Sequence, residues 1–370
     1  MRLVTYLVFT PLILSAFAVH AASGGVRLCV SAGQLFPETP EALQQSVRRL
    51  LDEATAPAPT EPLLACIVPH GPYGISGKVA AESFKHLKKG QFKRVIILGA
   101  SHAEMAFEDC SIAAVDAYAT PMGLVPLDQK AVRTLCYSSL FGARSMRYAH
   151  LQRGFLTESE RKPLHEYEHS IEIILPFLQE QLGDFELIPV LVGKLNDGAD
   201  RYDERRAEAV ARILQKQIDR ETLVVVSTDF THFGNDFSYR PFNDNIFEKI
   251  EALDKTGFER LAMNDTAEFE DFVTRSRAPI CGLNALRVLL KLLPSRAQGT
   301  MLGHELSGRF YNDENRSVSY GSMNFYLSDK PRPKPVVAAP VEKASEKSKP
   351  ALEPARKTVT NLSNIRKSGE

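Results

Sequence analysis

Four short apolar runs mark the first part of the chain: residues 63–68 (LLACIV), 94–99 (RVIILG), 186–192 (ELIPVLV) and 223–227 (LVVVS). Each is rich in β-branched residues and apolar on both faces, the pattern of a strand buried on both sides. The period changes to that of a helix over residues 78–88, 129–136, 171–182, 205–218 and 284–293. Strands alternating with helices predict an α/β domain in which a mostly parallel central sheet carries helices on both faces, a three-layer α/β/α arrangement. Residues 317–327 (SVSYGSMNFYL) alternate in polarity and are expected to close the sheet as an extra strand. No repeat or low-complexity linker interrupts this stretch, so a single domain over residues 23–329 is expected.

Both ends of the chain depart from that pattern. Arg2 is followed by an apolar run from Leu3 to Val19 and by the small residues Ala21 and Ala22. This order predicts a secretory signal peptide over residues 1–22 with Val19-His20-Ala21 as cleavage triplet, and hence an exported, periplasmic or secreted protein. The alternative is an uncleaved membrane anchor, marginal at about 17 residues for a bilayer. Cys29 follows Val26-Arg27-Leu28, without the small residues that lipoprotein processing uses. From Pro331 onward there are six prolines, no aromatic residue and nine Lys/Arg against four Glu. Such a segment buries too little apolar surface to offset its ordering entropy, so residues 330–370 are expected to form a disordered basic tail, with weak tethering to anionic membrane or cell wall as its electrostatic role.

Composition then narrows the function classes. Lys+Arg 45 against Asp+Glu 45 gives no net charge, which argues against a nucleic-acid partner. Five cysteines without a C-x-x-C pair exclude a disulfide scaffold and a zinc ribbon. After export, a disulfide between Cys281 and Cys29, Cys66, Cys110 or Cys136 is an alternative to a free thiol.

In a sheet of this kind chemistry gathers where the carboxyl ends of the strands meet a crevice. His70 ends LLACIVPH, His102 ends VIILGASH, and VVVSTDFTHFG places Asp229 and His232 just past a third strand. His20, His86, His150 and His304 have no such position. A transition metal needs two or three imidazole or anionic groups converging at about 2.0–2.3 Å. His70 and His102 supply two. Cys281, in Pro279-Ile280-Cys281-Gly282 before an apolar helix, is the candidate third ligand, expected as a thiolate because a helix N-terminus lowers a thiol pKa. Cys66 and Cys136 lie in apolar patterns and read as core. Asp229, three residues before His232, is placed to orient that imidazole as a general base.

His165-Glu166-Tyr167-Glu168-His169 matches H-E-x-x-H, which would make a zinc metallopeptidase if both histidines shared one face of a helix. Pro163 leaves the motif in a first helical turn, a poor context for it. His102-Ala103-Glu104 is half a zinc-deaminase signature without its P-C-x-x-C, and GPYGISG after His70 is not a dinucleotide fingerprint.

VPHGPYGISG, ILGASH, EHSIEIILPF, LIPVLVG, STDFTHFG and PICG occur in this order between about residues 64 and 326. In these six motifs the chain resembles the Memo-like protein family, also called AmmeMemoRadiSam system protein B, related in fold to the class III extradiol (LigB-like) dioxygenases. The resemblance implies a three-layer α/β/α fold with a metal-capable cleft. It places the metal ligands on His70, His102 and Cys281, the proton-moving base on His232 beside Asp229, and a substrate or oxygen contact on His169. A cysteine stands where the dioxygenases have a carboxylate, and both termini differ from the usual member. The expected function is an iron(II)- or copper-dependent oxidoreductase of dioxygenase-like ancestry, zinc being the lesser cofactor candidate. A non-catalytic protein that holds a metal, a peptide or a small molecule in the inherited cleft is the alternative.

Overall fold

The apolar runs become the centre of a nine-stranded sheet. The computed structural model describes residues 25–102, 107–143, 145–152 and 155–328. In it the strands Leu63–Val68, Thr222–Ser227, Arg94–Gly99 and Glu186–Val192 lie side by side in that order, all parallel. Ile67, Val68, Ile96, Ile97, Val190 and Val225 are fully buried. At about 1.5–3 kcal/mol for each buried Val, Leu or Ile, this burial is the main force holding the strands between their helices.

The margins of the sheet are mostly antiparallel and frame the parallel core of the expected α/β/α domain. Arg316–Leu327 pairs antiparallel with Leu63–Val68, Ala297–Leu306 and His232–Gly234, and Cys110–Ile112 runs antiparallel to Glu186–Val192. The cause is connection length. Residues 307–315 are too few for a crossover, so the strands they join must form a hairpin.

Helices cover both faces. Tyr73–Phe84 packs with Pro40–Glu53 and Leu175–Leu182 in one layer, while Leu283–Leu292 packs with Glu204–Gln215 and Thr266–Ser276 in the other. Pro40–Glu53 starts where Thr39 accepts a hydrogen bond from the Ala42 amide and Pro40 occupies the first turn. The helix expected over 171–182 opens instead as a 3-10 turn, Glu172–Ile174, and becomes α-helical over Leu175–Leu182. Ile246–Ala262, unanticipated from the sequence, buries Ile246, Ile250, Leu253, Gly257 and Leu261 on one stripe. A separate three-stranded sheet joins Val26–Arg27 to the hairpin Ala117–Thr120 and Gly123–Pro126. The expected signal peptide over 1–22 and tail over 330–370 lie outside the described residues. Among the described residues no helix is long and apolar enough to cross a membrane.

One detail of strand order positions the site. Thr222–Ser227 is inserted between Leu63–Val68 and Arg94–Gly99, so the loops after these three strands open at the same edge of the sheet. His70 and His102 therefore stand on either side of a third strand.

Candidate metal centre

That third strand supplies the part that fixes His70. Ser227, at its carboxyl end, donates its hydroxyl hydrogen to the Ser170 carbonyl, so its oxygen is left to accept from His70 Nδ1 at 2.9 Å. This sets the tautomer. With the proton on Nδ1, the Nε2 lone pair of His70 points to Cys281 Sγ, 3.3 Å away. His102 is fixed by the same logic through Glu168, whose carboxylate accepts from His102 Nδ1 at 2.9 Å and from the His102 amide at 2.6 Å. One ligand atom from each of His70, His102 and Cys281 lies within 4.8 Å of the others. Ligands on a common ion stand roughly 3.5–4.5 Å apart at metal distances of 2.0–2.3 Å, so this set fits a single transition metal with little rearrangement.

Two glycines let the ligand-bearing backbones come this close. A Cβ on Gly71 would stand 2.3 Å from the Tyr320 ring, and one on Gly282 would stand 2.5 Å from Thr228 Cβ. Each glycine directly follows a candidate ligand, His70 or Cys281.

Burial and hydrogen bonding divide control of protonation in the cluster. Burial holds His70 well below the usual imidazole range, helped by the neighbouring His102, His169 and His232. The Cys281 thiol is pushed up by burial, which outweighs its hydrogen bond with His102. This corrects the expectation of a thiolate made by a helix N-terminus: Sγ takes its backbone hydrogen bond from the Asp229 amide at 3.1 Å, and the Gly282 amide bonds Thr228 instead. Burial also opposes charge on His102, but the bonds to Cys281 and Glu168 overcome it and lift this imidazole to about 10. Burial alone would raise Glu168; its bond to His102 and the other donors around it bring it down to about 2. A metal held here would have to displace the protons of Cys281 and His102, so its loading would release protons and weaken as pH falls.

The remaining predicted residues line the same edge, with altered roles. Asp229 makes no hydrogen bond to His232. It accepts from the His70 amide at 2.8 Å, its other oxygen lies 3.8 Å from His70 Nε2, and burial raises its carboxyl to about 7. His232 is oriented by two carbonyls instead, Phe230 O at 2.7 Å and Pro279 O at 3.2 Å from Nδ1. Both are acceptors, so Nδ1 carries the proton and Nε2 is the free base; burial keeps the ring below its ordinary pKa. His169 stacks on His102 with ring centroids 4.6 Å apart and meets His70 edge-on at 5.4 Å. His102, Glu168 and His169 also form a ligand-like trio. Glu168 already accepts the His102, His169 and Ser170 amides as well as His102 Nδ1, which leaves it little capacity for a second cation.

The zinc-peptidase pattern is not realised. Leu164–Tyr167 is a 3-10 turn and Glu168 is extended, so the helix that would bring His165 and His169 to one face is absent. His165 is buried, its Nδ1 2.7 Å from Tyr118 OH. Burial holds this ring down to about 4, and that gives it a stability signature. Below pH 6.5 the unfolded chain takes up a proton that the folded chain refuses until about pH 4, so stability falls with acidification across this window, by up to about 3 kcal/mol. Denaturant titration of wild type and His165→Asn at pH 7.5 and 5.0 measures it. The acid loss should shrink in the variant, with metal content unchanged.

None of the five cysteines, all among the described residues, is in a disulfide, so the alternative of a disulfide on Cys281 is not formed. Sequence reasoning missed Glu168, Ser227 and the Ser170 carbonyl. For Glu168 a signal existed, a carboxylate flanked by histidine in the cleft motif EHSIEIILPF; a lone serine ending a strand gives none.

A family model described as Memo-like protein matches residues 27–324. Protein memo-1 homolog of Caenorhabditis elegans is 29% identical over 323 residues, covering 84% of this chain and 83% of that protein. Protein MEMO1 of Homo sapiens is 29% identical over 275 residues, covering 70% and 84%. A solved structure titled uncharacterized protein JW3007 from Escherichia coli K12 aligns at TM-score 0.39 and 12% identity over 71% of this chain and 99% of that one.

Proposed function

The chain belongs to the Memo-like protein family, and we propose that it holds iron(II) or copper on His70, His102 and Cys281 and acts as an oxidoreductase on a small molecule in the cleft. The observation that carries this reading is the paired locking of the imidazoles: Ser227 and Glu168 each occupy an Nδ1 and leave Nε2 to act as a ligand, that of His70 lying 3.3 Å from Cys281 Sγ. Groups fixed in this way by outer hydrogen bonds are the usual setting of histidine ligands. Two imidazoles and a thiolate suit iron, copper and zinc, and a redox-active ion so bound brings one-electron chemistry with open positions for dioxygen and substrate.

The chain's own groups supply the rest. His232 offers Nε2 as a base near neutral pH, because two carbonyls hold its proton on Nδ1. Asp229, with its carboxyl raised to about 7, can hold or release a proton beside His70. His169 presents a partly exposed ring to whatever enters the cleft.

Non-catalytic binding is the second reading, and the sulfur of Cys281 favours it, since a soft thiolate suits a metal other than the one a carboxylate selects. Elemental analysis of protein purified without chelators, followed by oxygen uptake with catechols and thiols, separates the two. Iron or copper near one equivalent with uptake supports the oxidoreductase; the same metal without uptake favours binding; absence of metal at any loading overturns both.

A further inference from the structure

Both imidazoles are set by one loop. Glu168 fixes His102, and the Ser170 carbonyl fixes Ser227 and through it His70. A buried cation sits directly behind this loop. Arg27 is 2% exposed and donates from Nη2 to the Glu168 carbonyl at 2.5 Å and from Nε to the His165 carbonyl at 2.9 Å. Its guanidinium also pairs with the Glu172 carboxylate and stands 5.1 Å from the centre of the Tyr118 ring. Glu172 in turn accepts from the Val30 amide at 3.1 Å and the Ser31 amide at 2.6 Å. The pair therefore clamps residues 26–31 against the loop 165–172 from both sides.

We propose that Arg27 is a positioning residue for the metal centre, and that docking of residues 26–31 and metal binding are coupled through the loop 165–172. The proposal rests on the assignment of His70, His102 and Cys281 as ligands. One side chain thus engages the main chain on both sides of Glu166 and Tyr167, and the planar fork of arginine is what reaches two carbonyls and a carboxylate together. Lysine keeps the charge opposite Glu172 but cannot span all three. If the segment secures the loop and the loop secures the ligands, metal must stabilise the docked segment by the same factor by which docking favours metal.

The test uses Co2+ alone as probe on the full chain. Arg27→Lys is expected to bind Co2+ about 10-fold more weakly, the low end of the range for outer-sphere changes, with altered ligand-field and thiolate charge-transfer bands. Hydrogen exchange on the wild type provides the reciprocal measurement, which needs no variant to fold: Co2+ should slow exchange at Val30 and Ser31 by about the same 10-fold. Wild-type affinity and spectrum in a folded Arg27→Lys, or exchange in 26–31 indifferent to Co2+, would overturn the coupling while leaving the ligand assignment intact. A wild type that takes up no Co2+ would instead overturn the ligand assignment, and this proposal with it.

Discussion

Replacing Cys281 by serine is expected to weaken metal binding by at least about 100-fold, beyond the 10–100-fold that outer hydrogen-bond partners cost when mutated. The same loss is expected for His70→Ala and His102→Ala, because each removes one of three donors whose ligand atoms lie within 4.8 Å of one another. The sulfur is the most telling of the three. Serine is close to isosteric, and the hydrogen bond from the Asp229 amide to Sγ can be made to a hydroxyl, so the local backbone should survive the change. A serine hydroxyl, unlike a thiol, does not ionise near neutral pH and is a poor ligand for a soft or borderline metal. Metal per protein by elemental analysis, with thermal melting of the apo forms as the control for folding, reads the effect. Full stoichiometry in Cys281→Ser would remove the sulfur from the coordination sphere and leave the cleft with two imidazoles. Glu168→Gln should fall between these variants and wild type, since it weakens the hold on His102 without removing a donor.

The residues that carry this site were legible in the sequence to different depths. Strand ends were readable because LLACIV, RVIILG and TLVVVS are apolar on both faces, and a histidine two to five residues beyond such a run stands at the sheet edge. Which strands are neighbours was not readable. The insertion of Thr222–Ser227 between the other two depends on long-range pairing that no local pattern encodes, and this neighbour delivers Ser227 to His70. The protonation of Cys281 was misjudged for a related reason. Its position before a helix is a local fact that favours thiolate, whereas the enclosure of its sulfur against Thr228 and Asp229 is a tertiary one that favours thiol, and desolvation prevails. The pattern H-E-x-x-H at 165–169 failed in the same way: spacing suits a helix, but the chain there is a 3-10 turn whose His165 is drawn inward to Tyr118. Ile246–Ala262 shows the opposite case, an apolar stripe at helical spacing present in the sequence but diluted by Lys, Glu and Asp on its exposed side.

Substituting His232 by glutamine is expected to leave metal content at the wild-type level and to lower turnover of any catechol or thiol that the wild type consumes by about 100- to 10,000-fold, the range over which positioned general bases act. The separation between binding and turnover follows from where the ring is held. Its Nδ1 is committed to the Phe230 and Pro279 carbonyls, so the proton it can accept must arrive at Nε2, and that nitrogen is not among the three donors that define the metal set. Burial lowers the pKa of His232, so the base is neutral and competent at pH 7 and is lost as pH falls through its depressed value. The acid limb of the rate profile should therefore lie below the ordinary imidazole range in the wild type and be missing from the residual activity of His232→Gln. Measuring kcat against pH for both proteins at fixed metal loading decides the matter. Equal rates in the two would show that no proton passes through this ring, and the Asp229 carboxyl, raised to about 7 beside His70, would then be the group to replace next.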